Sequence, residues 1–155
     1  MNQLSETQKA WLAGFIDGEG YIGTTFQRKK ETKHSAASPR YHPYLIIVNT
    51  DKKVLLYIKE LIGDGRLYIL NKTSGNKRES FQYKLTKMNA LLTVLEAVLP
   101  YLRVKQEQCK LLISFINKRK NVRPVTGRGS RGITSFDKED DEVHKLFLLL
   151  NKRGN

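Results

Sequence analysis

Nine residues near the N-terminus, Leu12-Ala-Gly-Phe-Ile-Asp-Gly-Glu-Gly20, constrain this chain more than any other stretch. Trp11, Leu12, Phe15 and Ile16 fall at i, i+1, i+4 and i+5 and share one flank of a helix, while Ala10, Gly14 and Gly18 recur four apart on the other. A glycine inside a helix costs about 1 kcal/mol relative to alanine, so two of them one turn apart call for a compensating contact. Close approach of a second helix backbone supplies one. A competing reading makes Gly18 and Gly20 a helix stop and Glu19 a solvated turn residue, since glycine-rich helix ends are common. Against it, Asp17 and Glu19 stand at the negative end of the macrodipole, where carboxylates are disfavoured by about 0.3–1 kcal/mol each. A divalent metal would relieve that misfit.

The 155 residues are one domain's worth, enough to bury about 70% of the unfolded surface without staples. Cys109 is the only cysteine and lies in an apolar helical run, which suits a buried structural thiol and rules out a cysteine zinc site. No apolar stretch approaches the ~18 residues of a membrane span, and the N-terminus lacks the basic-then-apolar pattern of a signal peptide. An intracellular protein without membrane partners is expected, in the cytoplasm of a prokaryote or an organelle matrix. Lys and Arg number 28 against 15 acidic residues, a net charge of +13, and such a field attracts polyanions. Nucleic acid is therefore the expected partner class, with a basic ribosome-associated protein as the plainer alternative.

After Gly20, Tyr21 to Arg28 alternates with Ile22, Thr24 and Phe26 on one face and Thr25 and Gln27 on the other, the pattern of a half-buried strand. A polar loop from Lys29 to Pro39 leads to a second strand over Tyr41 to Asn49, with Leu45 and Ile47 inward and Tyr44 and Ile46 outward. Asp51 caps a helix to about Ile62, carried by Val54, Leu55, Ile58 and Leu61 and ended by Gly63-Asp-Gly65. A second hairpin pairs Arg66–Lys72 with Glu79–Thr86 around Thr73-Ser-Gly-Asn76. Helices follow over Asn89–Leu99, stopped by Pro100, and over Lys105–Asn117. Lys118 to Gly132 holds six cationic residues and no acid, readable as a solvated linker or as a phosphate-tracking arm. A last helix, Asp137–Leu150, is acidic in its first turn and carries Val143, Leu146, Phe147 and Leu150 at core spacing. The expected division is thus a core over 1–117, a basic linker or arm over 118–136, and a C-terminal helix over 137–155 that docks on the core.

The segment from Leu12 to Gly20 resembles the signature of the LAGLIDADG homing endonucleases, with Phe15 for leucine, Gly18 for alanine and Glu19 for aspartate. That resemblance implies an α+β fold, an αββαββα series with an antiparallel saddle-shaped sheet, here extended by C-terminal helices. It implies a site-specific double-strand DNA endonuclease with a long, near-palindromic target. It also implies that the motif helix packs against a symmetry mate through Leu12, Ala13, Gly14, Phe15, Asp17 and Gly18. Only one copy of the motif is present, so the mate would be a second copy of the chain, a homodimer about a two-fold axis. Glu19, helped by the carbonyl of Gly18, would hold Mg²⁺ or another divalent cation, and phosphodiester hydrolysis suits hard oxygen ligands of this kind. Two neighbouring segments extend the resemblance. Val48-Asn-Thr-Asp51 places Asn49 as a water-positioning amide and Lys53 at the site's basic periphery, and Leu102-Arg-Val-Lys-Gln106 places Lys105 near the scissile phosphate.

Two-stranded β-ribbons fit the major groove, where each base pair presents a distinct pattern of donors and acceptors. The outward residues of the hairpins are the candidates for reading it: Thr25, Gln27 and Lys29; Arg40, His42, Tyr44 and Ile46; Tyr68, Leu70 and Lys72; Ser80 and Gln82. Lys30, Lys33 and Arg78 near the loop tips, with Arg128 and Arg131 in the basic segment, would contact phosphates, which position without reading sequence. A non-cleaving DNA- or RNA-binding protein on the same fold, such as an RNA maturase or a regulator, shares the charge and the hairpins but has no need of Glu19. A structural ribonucleoprotein component would leave the glycine-spaced helix unexplained.

Overall fold

The computed structural model describes residues 4–29, 38–70, 79–122 and 136–152. Helix α1 (Glu6–Glu19) begins with a capping box, in which Ser5 Oγ accepts the Gln8 N–H and Gln8 Oε1 accepts the Ser5 N–H. Its end passes straight into strand β1 (Gly20–Lys29). Gly20 makes that junction possible: its N–H still donates to Ile16 O, and a Cβ there would lie 2.7 Å from the same oxygen. Strand β2 (Ser38–Asn49) returns antiparallel to β1. Helix α2 (Lys52–Ile62) is capped by Asp51, which accepts the Lys53 N–H at 2.8 Å, and stops at Gly63, whose φ of 74° is left-handed. Strands β3 (Arg66–Leu70) and β4 (Ser80–Leu85) form the second hairpin. Helix α3 (Met88–Val98), one 3₁₀ turn (Leu99–Tyr101), α4 (Gln106–Asn121) and α5 (Lys138–Leu150) complete the chain.

The four strands make one antiparallel sheet in the order β1-β2-β4-β3, so the αββαββα series is present with two hairpins side by side and helices appended. One face carries the core. Ile22, Leu45 and Leu85 align across three strands there, and Ile47 pairs with Tyr83, all of them fully buried. Leu12, Ala13 and Ile16 of α1, Leu55 and Ile58 of α2, Leu91 and Leu95 of α3, and Cys109 and Leu112 of α4 complete the same buried cluster. The opposite face lies open. Pro39 and Pro43 are tolerated in β2 because β4 pairs only with Leu45–Asn49, leaving the outer half of β2 a single neighbour. Among the described residues no helix is long and apolar enough to cross a membrane.

The structure refines or corrects the sequence reading at three places. Trp11, read as sharing a helix flank with Leu12, Phe15 and Ile16, is 39% exposed, stacking on Phe15 and meeting Tyr57 edge-on at 5.3 Å each. Secondly, α4 runs four residues past Asn117, so Lys118, Arg119 and Lys120 are helical rather than the start of a linker. Two of these charges have acidic partners some twenty residues on: Arg119 is buried 3.3 Å from Asp140 with its guanidinium over the Phe136 ring, and Lys118 lies 2.9 Å from Asp137 and 2.8 Å from Glu139. Thirdly, of the apolar stripe expected on α5 only Phe147 is fully buried, Val143 is half-buried, and Leu146 and Leu150 are exposed. Much of the contact between α5 and the sheet is polar instead. Tyr41 Oη donates to Asp141 at 2.8 Å, Thr24 Oγ1 lies 2.9 Å from His144 Nδ1, and Asn151 Nδ2 donates to Ile22 O at 2.9 Å.

Candidate active site and nucleic-acid interface

The last turn of α1 leaves carbonyls without intrahelical donors and places two carboxylates among them. Their fates differ. Asp17 is half-buried and accepts the backbone N–H groups of Arg103 at 2.7 Å and Lys105 at 2.9 Å, while Lys105 Nζ donates to the carbonyl of Asp17. Glu19 is exposed and its carboxylate pairs with no other described residue. Beside it, Gly18, Gly20, Tyr21, Lys105, Gln108 and Lys152 line a shallow cleft of about 180 Å³. The far wall is held in place by Gln108 Nε2, which donates to Leu150 O at 3.2 Å, and by the bond from Asn151 to β1.

The donor set fits a hard divalent cation. The Glu19 carboxylate and the Gly18 carbonyl are hard oxygen donors, and Mg²⁺ is commonly held by one or two carboxylates with waters and substrate phosphates filling the rest. Among the described residues no three His, Cys, Asp or Glu side chains gather into a cage.

The open sheet face adjoins this end of α1. Across β1 and β2 its residues pair as Tyr21 with Ile46, Gly23 with Tyr44, Thr25 with His42 and Gln27 with Arg40. Across β4 and β3 they pair as Lys84 with Arg66, Gln82 with Tyr68 and Ser80 with Leu70. No Asp or Glu stands on this face among the described residues. Burial, with Arg40 and Lys84 nearby, pushes the His42 imidazole below its ordinary value and favours the neutral form. Arg66 and Lys84, like charges directly opposed, repel each other across the ladder, an arrangement that an anion relieves. They line a larger polar cleft of about 390 Å³ with Lys87, whose ammonium lies 3.3 Å from Asp64.

The structure sorts the sequence candidates. Thr25, Gln27, Arg40, His42, Tyr44, Ile46, Tyr68, Leu70, Ser80 and Gln82 all fall on the open face. Lys29 ends β1, its side chain outside the described residues, and Lys30, Lys33, Lys72, Arg78, Arg128 and Arg131 lie outside them altogether. Lys105 and Gly18 meet in the cleft beside Glu19. Asn49 and Lys53 do not line it: Asn49 Oδ1 accepts the Asp51 N–H at 2.8 Å to close the turn into α2, and Lys53 is exposed on that helix's first turn. Of the helix-interface candidates, Leu12 and Ala13 are fully buried in the chain's own core and have no surface to offer a partner. Asp17 is engaged by the 103–105 backbone. Gly14 and Gly18 are exposed, with nothing within 4 Å of where a Cβ would stand, and Phe15 is half-buried at the border. Sequence reading missed Arg66 and Lys84, which the same two-residue alternation would have found one step nearer the strand ends. Gln108 and Lys152 had no signal, since only the fold brings the end of α5 to the end of α1.

Residues 12–108 match the sequence profile of the LAGLIDADG endonuclease family. The chain belongs to that family. It is 28% identical over 116 residues to the DNA endonuclease I-CvuI of Chlorella vulgaris, a match covering 74% of this chain and 66% of that protein, slightly under two thirds of its length. Among solved structures, I-CvuI in complex with the I-CreI target in the presence of Mg superposes with a TM-score of 0.66 at 23% identity, covering 97% of this chain and 85% of the other. The archaeal intron-encoded homing endonuclease I-Vdi141I, complexed with DNA, gives 0.69 at 18% identity over 97% and 87%. The homing endonuclease I-TnaI gives 0.64 at 19% identity over 98% and 91%. These likenesses establish the LAGLIDADG fold.

Proposed function

We propose that this LAGLIDADG protein is a homodimeric, divalent-metal-dependent endonuclease that cuts both strands of duplex DNA at a long, near-palindromic site. The observation that carries the reading is Glu19, an exposed carboxylate without a described partner at the negative end of α1, between two glycines that line a cleft with Lys105 and next to a sheet face without acid among the described residues. A folded protein gains nothing from a carboxylate left there, and a cation satisfies it. Of the relatives named above, I-CvuI is a DNA endonuclease by name, and I-Vdi141I and I-TnaI are homing endonucleases by name. Support for a second copy comes from Gly14 and Gly18, whose missing side chains answer to no contact within the chain.

When bound, a divalent metal activates water and steadies the charge that develops on the phosphate. Glu19 and the Gly18 carbonyl would hold it, with room for ligands from the second copy and the substrate phosphates. The Lys105 ammonium offsets charge at the scissile phosphate, Asn49 orients water and Lys53 adds positive potential at the periphery. Ribbons β1–β2 and β3–β4 enter the major groove, where Gln27, Arg40 and their neighbours reach base edges.

The test is to incubate the protein with a randomised duplex library, with and without Mg²⁺, and to sequence new ends. Cuts on both strands at one near-palindromic sequence, only with metal, are expected. Selective binding to a duplex or to a structured RNA with no new ends in any divalent metal would overturn the reading in favour of a non-cleaving binder.

A further inference from the structure

We propose that Asp17 is a positioning residue for this reaction: by taking the backbone N–H groups of Arg103 and Lys105, its carboxylate sets where the Lys105 side chain stands relative to Glu19. The inference rests on the endonuclease reading and deepens it.

Helix α4 starts poorly by itself. Lys105 holds its N-cap position with φ −102° and ψ 23°, and no side chain of the cap accepts a helix N–H. What a capping carboxylate provides from within a chain segment, Asp17 provides from another element, its two oxygens taking the two N–H groups that lead into α4. The same charge is misplaced at the C-terminus of α1 and well placed at the N-terminus of α4, so the docking of one helix end on the other relieves it. The link is doubled, because Lys105 Nζ donates to the Asp17 carbonyl. Glu19 follows two residues later on the same helix end, and its chain neighbours Gly18 and Gly20 line one cleft with Lys105. One carboxylate therefore joins the segment that carries the metal ligand to the segment that carries the ammonium. A displacement of about 1 Å between reacting groups lowers a rate by as much as about 100-fold, which gives such a link catalytic weight.

The experiment uses the full chain and the target recovered from the library. Asp17→Asn keeps one acceptor and turns the other into a donor that faces an N–H. Duplex affinity without metal is expected within about twofold of wild type, and single-turnover cleavage slower by about tenfold or more. Lys105→Met is expected to be slower still, and Asp17→Asn added to it to bring no more than about a further twofold loss, since the residue then has no lysine to position. Asp17→Glu, which keeps both acceptors, should recover part of the rate. Losses that multiply in the double variant, or wild-type cleavage by Asp17→Asn, would overturn the proposal. Independently of activity, the Arg103 and Lys105 amides of the wild type should resist hydrogen exchange although they precede α4, and exchange at the rate of open backbone would also sink it. If the wild type cuts no duplex at all, the endonuclease reading fails, whereas unprotected amides in an active enzyme fail this inference alone.

Discussion

At the scale of single residues, Asp17 and Glu19 show how one helix end separates two tasks for the same chemistry. Both carboxylates oppose the α1 dipole, and Asp17 resolves the conflict with backbone N–H groups while Glu19 keeps its charge unspent. Glu19→Gln should therefore abolish cleavage and leave specific binding intact, and binding tightens if the lost charge stood near phosphates. Cutting in Mg²⁺ by this variant would remove Glu19 from the mechanism. Base readout makes a different demand on the sheet. Gln27 and Arg40 face one another across the β1–β2 ladder, and Arg40→Ala should cost about 1–3 kcal/mol and relax the preference at one position in each half-site. A selection experiment at two salt concentrations checks it: an unaltered base preference with a flatter salt dependence would make Arg40 a phosphate contact. These candidates were legible in the sequence because strand alternation fixes a side. The task of Asp17 was not, since its partners stand more than eighty residues away and are backbone groups that no side-chain pattern announces.

Whole elements were legible wherever local chemistry decides them. The cap at Asp51, the stop at Gly63 and the apolar stripe of α2 all hold because each is satisfied within a few residues. The boundary between α4 and the basic segment was misplaced because Arg119 looks like a solvated charge until Asp140 and Phe136 enclose it. Removing one partner of a buried pair strands the other, so Asp140→Ala should lower unfolding stability by about 3–5 kcal/mol, whereas Lys145→Ala at an exposed pair should lower it far less. Denaturant unfolding distinguishes the two, and equal effects would contradict the importance of burial. Acid should loosen the same helix. Lys118 and the Asp140 N–H hold Asp137 below the usual carboxylate range, and Lys145 and Tyr41 do so for Asp141. A depressed folded pKa contributes stability that is present above the unfolded value of about 4 and is lost as pH falls through the folded one. Alkali acts at the other limit: burial and the Asp141 hydrogen bond push the Tyr41 phenol up to about 12, so stability falls as pH rises from about 10 towards that value. Hydrogen exchange confined to α5 should increase in both directions, and a uniform response across all helices would show that α5 has no separate stability.

At the scale of the molecule, on the proposed endonuclease reading a chain of net charge +13 with one motif helix would offer one metal-binding end, and cutting two strands would require two. The surface around α1 is suited to supply the second by symmetry. Ala10, Gly14 and Gly18 form an exposed strip of small residues, and Trp11 on the same helix meets Tyr57 of α2, both of them more than a third exposed. In the proposed dimer an isologous contact would bring the same strip from a second copy against it, helix backbone to helix backbone, and would set the two Glu19 residues close to the axis. Two carboxylates so placed repel each other unless cations lie between them, so metal should strengthen the dimer as well as serve the reaction. Gly14→Leu tests the arrangement cleanly because a side chain at Gly14 meets nothing in its own chain. The variant should keep the wild-type melting behaviour of the isolated chain. Its association should weaken, since overpacking a tight contact costs about 1–3 kcal/mol per site and the two-fold axis presents the site twice. Sedimentation with and without duplex would then find monomers of Gly14→Leu where the wild type is dimeric, together with loss of double-strand cleavage. Wild-type monomers at micromolar concentration with DNA bound would refute the symmetric assembly, and a dimeric Gly14→Leu protein would move the interface away from this face of α1.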